Sequence, residues 1–187
     1  LTFLEQQIAY MYTKCDKVIV IGVSMGGVLA LHIATVFPLD GVIAASSLFK
    51  FKNEFNVRVL ARLFHKFKRS IEKSSNFNPD QLKSINRTFY GYSEYPISAL
   101  NEMRKLVDKV KPKLATIKSP VLLIHAKKDY TALFYNYKII RDLLESDDIT
   151  SLILDEAGHN IFDTETNDKK KIFVEVLQFS KRILNDK

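Results

Sequence analysis

Val18-Ile19-Val20-Ile21-Gly22-Val23-Ser24-Met25-Gly26-Gly27-Val28-Leu29-Ala30-Leu31-His32-Ile33-Ala34 contains the change of pattern that decides the fold. The branched apolar run at 18–21 reads as a buried strand, and residues 28–34 read as a helix. Between them a serine stands at a sharp strand-to-helix turn, with glycine two residues away on each side. That is the pattern of a nucleophile elbow. Such a turn holds its serine in a strained backbone conformation and lifts the Oγ above the sheet edge. Gly22 and Gly26 are expected to leave room where neighbouring segments come close. The helix that follows aims free N–H groups and the positive end of its dipole at a reacting oxygen. A bare G-x-S-x-G is a weak signal, and its strand and helix flanks make this one strong.

Outward from the elbow, helical and strand-like stretches alternate. Leu1, Leu4, Ile8 and Met11 recur at helical spacing, which predicts an amphipathic helix over 2–13. A strand is predicted over 17–22 and a helix over 25–37, ended by Pro38. Asp40-Gly41 reads as a turn before a short strand, Val42–Ala45. Residues 48–112 differ in composition, being rich in Phe, Lys, Asn and Ser without strand-like alternation. Phe55, Val59, Leu60, Leu63, Phe64, Phe67 and Ile71 form a helical stripe, and Leu100, Met103, Leu106, Val107 and Val110 form another. Asn78-Pro79-Asp80 and Tyr95-Pro96 read as turns between them. The segment is therefore predicted to be a helical insertion. Strands at 121–124 and 151–154 and helices at 132–145 and 168–184 then complete the rhythm. Alternation of this kind predicts an α/β fold: a mostly parallel sheet with helices on both faces.

The chain has 187 residues, which suits one domain spanning 1–187 with the 48–112 insertion inside it. One cysteine, Cys15, allows no internal disulfide and suits a reducing, cytoplasmic setting. No apolar run approaches the roughly 18 residues needed to cross a bilayer, and no secretory signal pattern opens the chain. The net charge of +7 is concentrated: residues 50–73 hold eight Lys or Arg against Glu54 and Glu72. Such a run is ordinarily a solvated face. It also offers anionic lipid or an acidic substrate a surface to meet. No nucleic-acid recognition motif accompanies it, so no nucleic-acid partner is expected. No dinucleotide fingerprint, P-loop or zinc-ligand spacing occurs, and no cofactor or metal is expected.

A serine hydroxyl is a poor nucleophile at neutral pH without a base to take its proton and an acid to orient that base. Open α/β sheets present such groups on loops at the carboxyl ends of strands. His125-Ala126-Lys127-Lys128-Asp129 follows one predicted strand, and Asp155-Glu156-Ala157-Gly158-His159-Asn160 follows another. Ser24, Asp129 and His159 are the candidates for nucleophile, acid and base, with Asp155 the nearest rival acid. His125 reads as buried structure, and neither His32 nor His65 is assigned a role.

The order Ser…Asp…His resembles that of the α/β-hydrolases, and the chain is similar to their serine-esterase branch. It looks most like small bacterial carboxylesterases and monoacylglycerol-lipase-like enzymes. The resemblance is carried by Gly22-Val23-Ser24-Met25-Gly26-Gly27, by Pro120-Val121-Leu122-Leu123-Ile124-His125 with Asp129, and by Ala157-Gly158-His159-Asn160. It implies that Ser24 attacks an ester carbonyl, that His159 shuttles the proton and that Asp129 orients the imidazole. It also implies that the Met25 N–H serves the oxyanion hole, and that 48–112 is a helical cap. Family members begin with several further strands, and an early loop, often His-Gly, supplies a second oxyanion donor. This chain has no His-Gly pair and starts near the helix leading into the nucleophile strand, so a fold without its N-terminal strands is expected. The function expected is cleavage of a small carboxylic ester, with short or medium acyl chains or a monoacylglycerol as substrate. A thioesterase or acyltransferase on the same fold, a silent hydrolase serving as an interaction module, contact with a membrane surface and self-association remain open at this point.

Overall fold

The computed structural model describes residues 1–52, 70–72, 94–163 and 167–185. The strands, in chain order, are β1 (Ile19–Val23), β2 (Gly41–Ala45), β3 (Ser70–Glu72), β4 (Glu94–Pro96), β5 (Val121–Ala126) and β6 (Ile149–Leu154). The helices of the described residues are α1 (Thr2–Tyr12), α2 (Met25–Ala34), α3 (Ile97–Val110), α4 (Tyr135–Leu143) and α5 (Asn167–Asn185), with 3-10 turns at Lys111–Thr116 and Ile161–Asp163. Two compact units divide the chain, one formed by Leu1–Lys52 with Leu106–Lys187 and the other by Asn53–Lys105.

The first unit is built on a parallel sheet in the order β1-β2-β5-β6. Every residue of β2 and β5 is buried. Both faces of these inner strands are covered, which is why Gly-Val-Ile-Ala-Ala and Val-Leu-Leu-Ile-His-Ala show no polar alternation. The pairing register runs from Ile19↔Gly41 to Val23↔Ala45, then from Val42↔Val121 to Ala45↔Ile124, and across to β6 with Ala126↔Leu154. The strands thus finish together, and the residues after them emerge along one rim. On one face, Ile172, Phe179 and Ile183 of α5 pack with Ile43, Leu122, Ile124 and Leu154. Their spacing of seven and four puts them on one stripe of the helix, and each such burial is worth about 1.5–3 kcal/mol.

Helix α2 is buried at most of its positions, so it sits deep, against β1 and β2. It ends three residues before the predicted boundary. Its last turn tightens: the Thr35 N–H is shared between the Leu31 and His32 carbonyls, and the Thr35 hydroxyl donates to His32 O at 2.7 Å. A shift from i−4 to i−3 bonding is how helix ends close.

The second unit departs from the all-helical expectation. Among its described residues, β3 and β4 form an antiparallel pair, with Ser70 opposite Pro96, Ile71 opposite Tyr95 and Glu72 opposite Glu94. Ile71 therefore belongs to a strand and not to the helical stripe. Tyr95-Pro96, read as a turn, ends β4, where a proline is tolerated because a two-stranded ribbon has an unpaired side. The remainder of that stripe, Asn78-Pro79-Asp80 and most of the basic run lie outside the described residues. Among the described residues no helix is long and apolar enough to cross a membrane.

Candidate active site

Ser24 is the residue between β1 and α2, and its φ of 56° and ψ of −119° place it in a region that side chains rarely adopt. Strain of this kind is worth about 1–3 kcal/mol and persists only where surrounding structure enforces it. Part of the enforcement is visible. The Ser24 N–H donates to Ala45 O at 2.8 Å, tying the elbow to the end of β2. The glycine requirement differs from the expected one. A Cβ on Gly22 would stand 2.0 Å from Gly26 O, and one on Gly27 would stand 2.0 Å from Ser47 Oγ. A Cβ on Gly26 would meet nothing within 4 Å among the described residues. The close approaches are therefore at Gly22 and Gly27: what comes near Gly22 is the backbone of Gly26, not its missing side chain.

His159 brings its ring to this hydroxyl. Its Nε2 lies 3.0 Å from Ser24 Oγ, and its Nδ1 lies 2.8 Å from Asp129 Oδ2. A carboxylate only accepts, so Nδ1 carries the ring proton and Nε2 presents its lone pair to the serine. The imidazole is partly open, with 22% of its surface exposed, whereas Asp129 is buried. The second carboxylate oxygen, Oδ1, accepts from the N–H groups of Thr131 at 2.9 Å and Ala132 at 2.7 Å. This is an Asx-type turn, by which an aspartate fixes the backbone that follows it.

The loop carrying Asp129 is held from a further side. His125, buried in β5, donates from Nε2 to Ala132 O at 2.6 Å and stands edge-on to Phe134. Burial pushes the His125 pKa down, against the smaller opposing effects of the Ala132 bond and the Asp129 charge. The side chain of Asn136, at the start of α4, accepts from Phe49 N–H at 2.8 Å and Lys50 N–H at 2.7 Å and donates to Leu133 O at 2.9 Å. Asp168 of α5 holds the other loop, accepting from the N–H groups of Glu156 and Ala157.

Ser24, His159 and Asp129 are thus brought together in one hydrogen-bonded chain. Met25 is the first residue of α2, so its N–H is one that no carbonyl of the helix can reach. Asp155, the rival acid, is instead a surface residue paired with Lys127 Nζ at 2.6 Å. His32 is buried at the other end of α2 and meets Glu5 at 3.1 Å. An open cleft of about 510 Å³ lies at the opposite rim, lined by Ala34–Asp40 and by residues 116 and 118–120, and it contains none of the groups above. Among the described residues no cluster of His, Cys, Asp and Glu is arranged to hold a metal ion.

Sequence reading missed Asp168 and Asn136. A buried aspartate in the first turn of a helix has the same spelling as a solvent-facing one, and the loop amides that both residues bind lie remote in the chain.

A family model described as serine aminopeptidase, S33, matches residues 2–167. A carboxylesterase of Bacillus subtilis (strain 168) is 24% identical over 179 residues, covering 93% of this chain and 69% of its own length. A monoacylglycerol lipase from Paleococcus ferrophilus is similar in structure with a TM-score of 0.73 at 19% identity, over 94% of this chain and 73% of that one. A soluble variant of the Saccharomyces cerevisiae monoglyceride lipase gives a TM-score of 0.76 at 16% identity, over 97% and 68% of the two chains. At these identities the structural likenesses show the fold, an α/β-hydrolase sheet with its helices.

Proposed function

For this chain, which belongs to the serine aminopeptidase S33 family of α/β hydrolases, we propose hydrolysis of small carboxylic esters through a covalent acyl-enzyme. The observation that carries the proposal is the continuous chain from Ser24 Oγ through His159 to Asp129, at 3.0 and 2.8 Å. As Ser24 Oγ attacks the acyl carbon, its proton moves to His159 Nε2. The imidazolium so formed is stabilised by Asp129, and His159 returns the proton to the leaving alcohol. Water then repeats the sequence on the acyl-serine and releases the acid. The Met25 N–H stabilises the oxyanion at each tetrahedral stage. The names of the relatives, a carboxylesterase and lipases of monoacylglycerol, support esters over amides, with a monoacylglycerol or an ester of short or medium acyl chain as the proposed substrate.

Labelling with a fluorophosphonate and hydrolysis of a p-nitrophenyl ester series test this reading. The protein is expected to label at Ser24 and to turn over the esters, and Ser24→Ala is expected to lower turnover by on the order of 10⁶. A folded protein that neither labels nor hydrolyses any ester would sink the reading. Faster turnover of aminoacyl p-nitroanilides than of the esters would replace it with a peptidase. The exposed thiol of Cys15 suits a reducing compartment, and we place the protein in the cytoplasm, to be checked by fractionation against compartment markers.

A further inference from the structure

Asp168 has no surface exposure, yet the reaction above does not use it. Its Oδ2 accepts from Glu156 N–H at 2.8 Å and Ala157 N–H at 2.9 Å, and its Oδ1 accepts from Lys171 Nζ at 2.9 Å. An acid that merely complements the start of a helix gains nothing from burial or from partners outside the helix. Here both amides belong to the loop between β6 and His159, and only Gly158 separates Ala157 from the imidazole-bearing residue. A Cβ on Gly158 would have as its nearest neighbour among the described residues Lys128 O, at 4.0 Å. Ala157 is itself buried in the core, and the two consecutive amides of Glu156 and Ala157 both end on Asp168. Burial pushes the Asp168 carboxyl up, but Lys171 and the two amides outweigh it and hold the group below its ordinary pKa, so it stays a charged acceptor.

We propose that Asp168 is the positioning residue for His159, its buried carboxylate clamping the Glu156 and Ala157 amides so that the imidazole stands between Ser24 and Asp129. The consequence for rate rests on the serine-hydrolase reading; the consequence for the place of the ring does not. A displacement of about 1 Å at such a group lowers a rate by up to about a hundredfold.

The test uses the full chain, with Asp168→Ala, which removes the acceptor of both amides, the conservative Asp168→Glu, and Lys171→Arg, which keeps a cation beside Asp168. Two quantities are read well below the thermal midpoint: the rate of fluorophosphonate labelling at Ser24, and the ¹H–¹⁵N resonances of the His159 ring. Asp168→Ala is expected to slow labelling about ten- to a hundredfold and to shift or broaden the ring resonances, with Lys171→Arg close to the parent on both. Asp168→Glu keeps the charge but moves the acceptors by a methylene, and is expected to fall between them; it decides the matter if Asp168→Ala does not fold. A folded variant at position 168 with parent-like labelling and ring resonances overturns the proposal. Slower labelling with an unshifted His159 ring also overturns it, because the effect then arises elsewhere. A parent protein that does not label refutes the hydrolase reading alone, and the ring resonances still decide the role of Asp168.

Discussion

Asp129 and Asp168 perform the same backbone task on two neighbouring loops. Each is buried, and each gives one carboxylate oxygen to two consecutive amides: Thr131 and Ala132 for Asp129, Glu156 and Ala157 for Asp168. The difference lies in the other oxygen. That of Asp129 holds the His159 ring at 2.8 Å, whereas that of Asp168 holds the half-exposed ammonium of Lys171 at 2.9 Å. An imidazole can pass a proton to and from a hydroxyl, and an ammonium only supplies a charge. On the proposed mechanism the same buried acid serves chemistry in one loop and scaffold in the other, and its second partner decides which. The two also differ in reach: Asp129 fixes residues that follow it at once, while Asp168 gathers a segment eleven and twelve residues back.

The largest separation between them is expected in rate. Asp129→Asn keeps an oxygen for the Thr131 and Ala132 amides but no longer selects the tautomer in which Nε2 faces Ser24. Turnover and fluorophosphonate labelling are expected to fall by on the order of 10⁴, with the fold retained by circular dichroism. A loss no larger than that of Asp168→Ala would erase the distinction between the two acids.

A smaller effect should appear on the acid side of stability. The folded Asp168 carboxyl lies below its ordinary 3.8, so the unfolded chain binds the proton more readily. Its contribution is present above about pH 3.8 and is lost as pH falls from there through the folded value. Lys171 faces it directly, with Glu156 and Asp155 around that lysine. The thermal midpoint of the parent should therefore fall more steeply than that of Asp168→Asn across this window. Parallel curves would show that the clamp does not titrate with the fold.

The smallest effect concerns His125, which braces the Asp129 loop and has no counterpart beside Asp168. Burial keeps its folded pKa below 6.5, so the unfolded chain takes up the proton first. Stability is lost as pH falls from 6.5 toward the folded value, above the window in which Asp168 acts. The difference in midpoint between the parent and His125→Asn should narrow as pH drops through that range. A constant difference would mean that His125 is no part of the acid response. His32, shifted down in the same direction, is common to both proteins and cancels.

The legible parts of the molecule share a physical cause. Ser24, Asp129 and His159 could be found because each stands just beyond an apolar run, and a run that stops marks the rim of a sheet. Asp168 could not, because an acid in a first helical turn looks alike whether it meets solvent or reaches back to a loop. The two adjacent glycines of the elbow could not be told apart by spacing, since only the fold shows that a side chain at Gly27 would meet Ser47 and that one at Gly26 would meet nothing within 4 Å among the described residues. Strands β3 and β4 have three residues each, too few for any alternation to register.

Asn136 joins places far apart in the chain. Its amide group bonds the backbone of Phe49 and Lys50, 87 and 86 residues away, and also the carbonyl of Leu133. Loosening of residues 49–50 would strand a buried carbonyl oxygen of that side chain, and loosening of the first turn of α4 would strand two N–H groups. Neither segment can fray by itself at low cost. The exit toward residues 53–105 and the stretch just past Asp129 should accordingly exchange their amide hydrogens together, as one opening unit.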